Sequence, residues 1–246
     1  MTSIRARDDR TRLLIFDLDG TLIDSAPDIV SAVNGLMRAR GRPELPEAQV
    51  KAAIGEGLRT LIEGLFPETQ TSAAFLREFE AEFRLHYERH LLERTQVFPG
   101  VFDFLERWSG SDGGSEGRAI AIVTNKDERF ARICVEGLGL ARFPWLRLFG
   151  ADSLPAKKPD PLPLIEAMRA AGVTPTETVM VGDGLPDMGA ALRAGTYSAA
   201  AEYGYCELRL LVAAGATTTF ADFARLPDAL ARIEALRPAA TRPPAA

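Results

Sequence analysis

Two aspartates, Asp17 and Asp19, stand two residues apart where the apolar run Leu13 to Phe16 breaks into Asp-Leu-Asp-Gly-Thr. A short run without polar residues reads as a strand buried on both faces, and the Asp-Gly-Thr reads as its exit turn. Residues two apart in extended chain point to the same side, so both carboxylates face the space beyond the strand's C-terminal end. Open parallel sheets bind their ligands there. At ~4 Å and an effective dielectric of ~20, two such charges repel by about 4 kcal/mol. A divalent cation or a shared proton between them removes the conflict. On its own, a D-x-D-G segment is equally an ordinary turn.

Three further segments repeat the pattern of an apolar strand followed by polar residues suited to phosphate. Ala119 to Val123 ends in Thr124 and Asn125, a hydroxyl and an amide that can donate to phosphate oxygens. Lys157 and Lys158 precede Pro159 and Pro161, and a fixed ammonium suits a site crowded with negative charge. Of the two, one lysine is expected to be solvated. Val179 to Val181 runs into Gly182-Asp183 and a helix beginning near Pro186. Asp183 would add a hard oxygen ligand of the kind magnesium takes. Asp187, one turn on, is either a ligand or a first-turn residue complementing the helix dipole.

Strands ending near Phe16, Val123, Phe149 and Val181 alternate with helical patterns, which predicts an α/β fold with a Rossmann-like, doubly wound parallel sheet. The segment between the first two of these strands is too long and too helical for a simple crossover. Ile29, Val33, Leu36 and Met37 share one helix face; Val50, Ile54, Leu58, Leu61 and Leu65 share another; Phe75, Phe79, Phe83, Tyr87 and Leu91 recur every four residues. This predicts an inserted small α-helical cap at 24–97, with the catalytic core at 12–23 and 98–236. The aromatic stripe is read as cap core. Residues 1–11 and 237–246 are expected to be flexible tails, and Ser109 to Gly117 a loop.

A chain of 246 residues is longer than the ~150 of a usual domain, so one large and one small unit fit. The net charge of -5, with acids and bases interspersed, offers no basic face for nucleic acid. Cys134 and Cys206 are far apart and lack metal-ligand spacing, and no apolar stretch is long enough to cross a bilayer. A cytoplasmic protein with reduced thiols, acting as monomer or homodimer without membrane, is expected. His86 and His90 flank Glu88, not the spacing of a zinc-protease helix.

With D-x-D-G-T at Asp17, Thr124-Asn125, Lys158-Pro159 and Gly182-Asp183 in this order, nearly the whole chain resembles the haloacid dehalogenase superfamily of phosphohydrolases. Within it, Asp24-Ser25-Ala26-Pro27-Asp28, Ala32-Val33-Asn34, Ile54-Gly55-Glu56-Gly57, Val123-Thr124-Asn125-Lys126 and Tyr203-Gly204-Tyr205 are similar to words of the bacterial phosphoglycolate phosphatases. Two departures stand out: Gly184, where relatives commonly carry Ser or Thr, and Thr196 to Ala201, less apolar than the usual last strand.

The resemblance implies two-step phosphoryl transfer, with Asp17 attacking phosphorus and Asp19 protonating the leaving alkoxide and then activating water. It implies Mg2+ held by Asp17, the Asp19 backbone carbonyl and Asp183, with Asp187 a ligand or a support. Thr124, Asn125 and Lys158 would take the phosphoryl oxygens. The small phosphorylated metabolite implied is 2-phosphoglycolate, covered by the cap loop Gly55, Glu56 and Gly57, and Arg59 is assigned to its carboxylate. Alternatives are a phosphatase of phosphosugars such as N-acetylmuramic acid 6-phosphate, a phosphosugar mutase, or a non-catalytic sensor of a phosphometabolite.

Overall fold

A computed structural model describes residues 10–110 and 117–237. Eight strands are present among them: β1 Leu13–Phe16, β2 Ile23–Asp24, β3 Gln96–Val97, β4 Ala119–Val123, β5 Trp145–Phe149, β6 Thr178–Gly182, β7 Tyr197–Ala201 and β8 Thr218–Phe220. Six form one parallel sheet in the order β5-β4-β1-β6-β7-β8. The chain builds outward from β1 in one direction through β4 and β5, then returns to β6 on the other side. That reversal opens a crevice at the C-terminal ends of the central strands.

Period-2 alternation divides β1 between two cores. Leu14 and Phe16 face a cluster with Phe104, Phe223 and Val181, while Leu13 and Ile15 face Leu164, Met168 and Ala191. Both faces are covered by helices, and every β1 side chain is buried. This is why the strand carries no polar residue.

Ten α-helices accompany the strands in the described residues: α1 Ala26–Ala39, α2 Glu47–Lys51, α3 Leu58–Leu65, α4 Ala73–His90, α5 Val101–Ser109, α6 Glu128–Gly137, α7 Leu162–Ala171, α8 Leu185–Ala194, α9 Leu208–Ala213 and α10 Leu226–Leu236. The first four make the insertion. Ile29, Val33, Leu36, Leu61, Phe66, Phe79, Phe83 and Tyr87 form its own core, and Phe130 of α6 joins from below. The stripe read from the sequence is thus cap core, except that Phe75 is half-exposed. Val50 to Leu65 is two helices, not one face: α2 and α3 are separated by residues 52–57. Gly57 there has φ +91°, and a Cβ on it would lie 2.6 Å from Lys157 Nζ.

The insertion leaves and re-enters the sheet through a two-stranded antiparallel ribbon, with Ile23 opposite Val97 and Asp24 opposite Gln96. Asp28, fully buried, fastens it by accepting from the backbone N–H of Arg94 (2.9 Å), the N–H of Thr95 (2.9 Å) and the Thr95 hydroxyl (2.6 Å). Asp28→Ala strands those donors in the interior. Urea unfolding should show a loss of about 3 kcal/mol, and a loss below about 1 would remove this fastening role.

Two expectations require correction. Thr11 and Arg237, expected in flexible tails, are held in place: Thr11 is buried, the neighbouring Arg12 N–H donates to the Glu177 carbonyl (2.8 Å), and Arg237 donates to the Thr11 hydroxyl (3.0 Å). Residues 1–9, 238–246 and, in the expected Ser109–Gly117 loop, 111–116 lie outside the described residues. The Thr196–Ala201 segment is not the last strand. It forms the buried β7, whose small side chains fit beneath Met188 and Leu211, and β8 takes the sheet edge.

Candidate active site

The strand ends deliver the chemistry to one point. Asp17 follows β1, Thr124 follows β4 and Asp183 follows β6, and all three side chains are buried. The chain past β1 turns at Gly20, φ +83°, where any Cβ would fall 2.2 Å from Asp183 Oδ2. Gly204 also approaches Asp183 closely: a Cβ there would fall 2.1 Å from the Asp183 Cβ. Asp183 is therefore boxed by two glycines and held by the Thr21 hydroxyl (2.7 Å) and the Tyr205 N–H (2.8 Å).

Asp17, Asp183 and Asp187 each bring a carboxylate oxygen to within 4.8 Å of the others. Lys158, only 1% exposed, lies 3.0 Å from Asp17 and 2.6 Å from Asp187. Three carboxylates beside one ammonium leave a negative excess in the interior. Burial, then the charge of Asp187, pushes Asp17 up to about 7 even though Lys158 opposes the shift. Burial, then Asp17 and Asp187, pushes Asp183 up to about 8. For Lys158, burial works against the ammonium, yet its two carboxylate neighbours carry its pKa above the ordinary value.

That excess fits a divalent cation. Ligands on opposite sides of an octahedral magnesium lie about 4 Å apart, close to the spread of these oxygens, and all the donors are hard. Asp17 accepts from the Leu18 N–H (2.7 Å) and from Lys158 through Oδ1, while its Oδ2 has no protein partner among the described residues. Asp187 has both oxygens engaged, Oδ1 with Lys158 and Oδ2 with the Gly184 N–H (2.8 Å). It caps its own helix and steadies the lysine.

The mutual repulsion expected for Asp17 and Asp19 is not how the site is balanced. Each has its own cation: Asp19 receives Lys126 at 2.8 Å on both oxygens, and also the Ser25 hydroxyl. Nothing in the sequence pattern marks Lys126 for a role beyond its place beside Thr124-Asn125.

The cap loop closes over the crevice. Asn125 donates to the carbonyls of Gly55 (3.1 Å) and Lys158 (3.0 Å), and Lys157 donates to the Glu56 carbonyl. Lys157 is thus a latch between core and cap, not a solvated lysine. A cavity of about 60 Å3 lies between the two parts, lined by Asp17, Asp19, Gly55, Gly57, Thr124, Asn125 and Lys126 with apolar side chains of the insertion. Glu56 and Arg59 are not in its wall; Arg59 is exposed and pairs with Glu63 at 3.0 Å. Lys158, Asp183 and Asp187 form the floor behind Asp17.

The chain is similar to relatives of known name. The chain is 38% identical over 204 residues to Phosphoglycolate phosphatase 1 of Pseudomonas aeruginosa, covering 79% of this chain and 70% of that protein. It is 35% identical over 220 residues to the phosphoglycolate phosphatase of Chromobacterium violaceum, covering 88% and 95%. A crystal structure from Haemophilus somnus, described as a predicted phosphoglycolate phosphatase, superposes with a TM-score of 0.79 at 26% identity, covering 90% of this chain and 98% of the other. Fold, strand-end chemistry and relatives together define a phosphomonoesterase. The model of the haloacid dehalogenase-like hydrolases matches residues 11–195, and the chain belongs to that family.

Proposed function

We propose that the enzyme hydrolyses 2-phosphoglycolate to glycolate and phosphate in two steps, through a phosphoryl group carried on Asp17, with magnesium as its metal. The observation that carries this reading is the convergence of Asp17, Asp183, Asp187 and Lys158 on one buried point at the strand ends. Asp17, Asp183 and the Asp19 backbone carbonyl would hold the metal, which supplies positive charge against the phosphoryl oxygens.

The chain's own groups carry the rest. Asp17 Oδ2, without a hydrogen bond among the described residues, attacks phosphorus while the bond to the leaving oxygen breaks. Asp19 gives that oxygen a proton, then takes one from the water that displaces Asp17 and releases phosphate. Lys158, Thr124 and Asn125 balance charge on the phosphoryl oxygens. Asp187 acts through Lys158 as a positioning residue.

Size supports the small substrate. By ~10–15 Å3 per water, the cavity takes about five waters, room for a two-carbon leaving group. The test is kcat/KM over 2-phosphoglycolate, hexose phosphates, nucleotides and N-acetylmuramic acid 6-phosphate, with magnesium and with chelator. Phosphoglycolate should lead by at least tenfold and only with magnesium. A bulky phosphosugar in the lead would keep the chemistry and remove the substrate.

The two lysines should separate cleanly. Lys158→Ala should lower kcat by about a hundredfold or more, since it leaves buried negative charge unbalanced. Lys157→Ala loosens a latch and should cost less than about tenfold, mostly in KM. The reverse order in steady-state kinetics would assign the phosphoryl group to the other lysine.

A further inference from the structure

We propose that Lys126, assisted by the Tyr87 hydroxyl, selects the leaving group: the pair binds a carboxylate, so the enzyme takes phosphate esters of small hydroxy acids over those of neutral alcohols. The inference rests on the phosphatase reading above and names the group that recognises the non-phosphoryl end of the substrate.

Four observations converge. First, Lys126 is the only cationic residue in the cavity wall among the described residues, and its side chain is 5% exposed. Arg59, the residue expected to meet a carboxylate, points away to Glu63. Second, an ammonium has three donors, and Asp19 takes two of those on Lys126, one on each carboxylate oxygen. The third N–H faces Tyr87 and the cavity.

Third, Tyr87 lines the same cavity from α4 of the insertion and is 2% exposed; its hydroxyl oxygen faces the Lys126 ammonium, while its O–H has no acceptor among the described residues. The Lys126 ammonium lies 4.8 Å from the Tyr87 ring centroid. A buried O–H without an acceptor is a cost that a bound acceptor relieves. Phe83, Phe130, Ile29 and Leu58 of the same wall are apolar, and Asp127 is paired with Arg84 at 2.8 Å. Apart from the acceptors Asn125 Oδ1 and Asp17 Oδ2, which the reading above gives to the phosphoryl end, the open groups of the wall are the Tyr87 O–H and the face of the Lys126 ammonium, which suit a carboxylate.

Fourth, position matches connectivity. The ester oxygen of phosphoglycolate is one CH2 from its carboxylate, so the carboxylate must lie beside the residue that protonates the leaving oxygen. Lys126 is the cation in contact with Asp19. Because Tyr87 comes from the insertion and Lys126 from the core, the carboxylate site is complete only when the cap is closed on the core.

The experiment compares kcat/KM for 2-phosphoglycolate with that for 2-hydroxyethyl phosphate, its neutral analogue of similar size. The wild-type enzyme should prefer the carboxylate by about a hundredfold or more, as sites built around polar partners do. Lys126→Met should narrow the preference to under about tenfold, and Tyr87→Phe, which removes only the hydroxyl, by about three- to tenfold. An unchanged preference in Lys126→Met overturns the proposal, as does an equal fall for both esters, which would make Lys126 a support for Asp19 alone. Equal turnover of the two esters by wild type also overturns it, while leaving the phosphatase reading standing. Turnover of neither removes both. If Lys126→Met does not fold, product inhibition of the wild type decides: glycolate should inhibit at least tenfold more tightly than ethylene glycol, and equal inhibition overturns the assignment.

Discussion

Asp17→Asn should lower kcat by at least about a thousandfold, equivalent to about 4 kcal/mol of barrier, while the protein stays folded. The carboxamide has the same shape and can still accept from the Leu18 N–H, which now bonds Oδ1 at 2.7 Å, but it is a poor nucleophile. Stability should move the opposite way. Asp17 is one of three buried carboxylates sharing Lys158, and burial has already pushed its pKa to about 7. Removing its charge relieves the interior, so at pH 8 in chelator the variant should melt about 2–4 °C above wild type, the shift expected for roughly 1 kcal/mol in a chain of this size. Retention of a tenth of the activity would remove Asp17 from the chemical step. A lower melting temperature would show that Lys158 depends on Asp17 more than the carboxylates repel one another.

The same excess of charge makes the chelated protein sensitive to alkali. In the unfolded chain Asp17 and Asp183 titrate near 3.8, whereas in the folded chain their values are about 7 and about 8. Between those limits the native state binds more protons than the unfolded one, so stability falls as pH rises and levels off above about 8. A divalent cation replaces the protons as counter-charge. Thermal melts from pH 6 to 8.5 should therefore decline by several degrees in chelator and much less in magnesium, the gain from magnesium growing with pH. Parallel curves in the two conditions would mean that the carboxylates do not bind the ion.

Much of this was legible because the strand ends carry their chemistry in sequence order. Asp17, Thr124, Lys158 and Asp183 could be placed from apolar runs followed by polar residues, and the period-2 split of β1 needs nothing beyond four letters. What escaped depends on pairings across long separations. Lys126 meets Asp19 over 107 positions, and no local pattern distinguishes it from a surface lysine. One of Lys157 and Lys158 is expected to be solvated, and Lys157 is not, because its acceptor is a backbone carbonyl of the cap, which has no letter in a sequence. Arg59 fits a helix face equally well pointing in or out, and only the packing of α3 turns it to Glu63. The break between α2 and α3 was visible as Gly55 and Gly57, but an apolar spacing that continues across it suggests a single helix face.

The ribbon of Ile23–Asp24 against Gln96–Val97 gives the insertion a single doorway: chain enters and leaves through neighbouring residues. Everything between could in principle be exchanged by splicing at two adjacent positions, without reordering the sheet or moving Asp17, Lys158 or Asp183. Reaction and preference are then separable inheritances, one written in the residues outside the doorway and the other largely in those within it. A chimera joined at Asp24 and Gln96, carrying a different helical insert, would keep the ability to cleave a phosphate ester while acquiring a new taste in alcohols. Lys126 would be left waiting on the core side for a partner that the new insert does not bring.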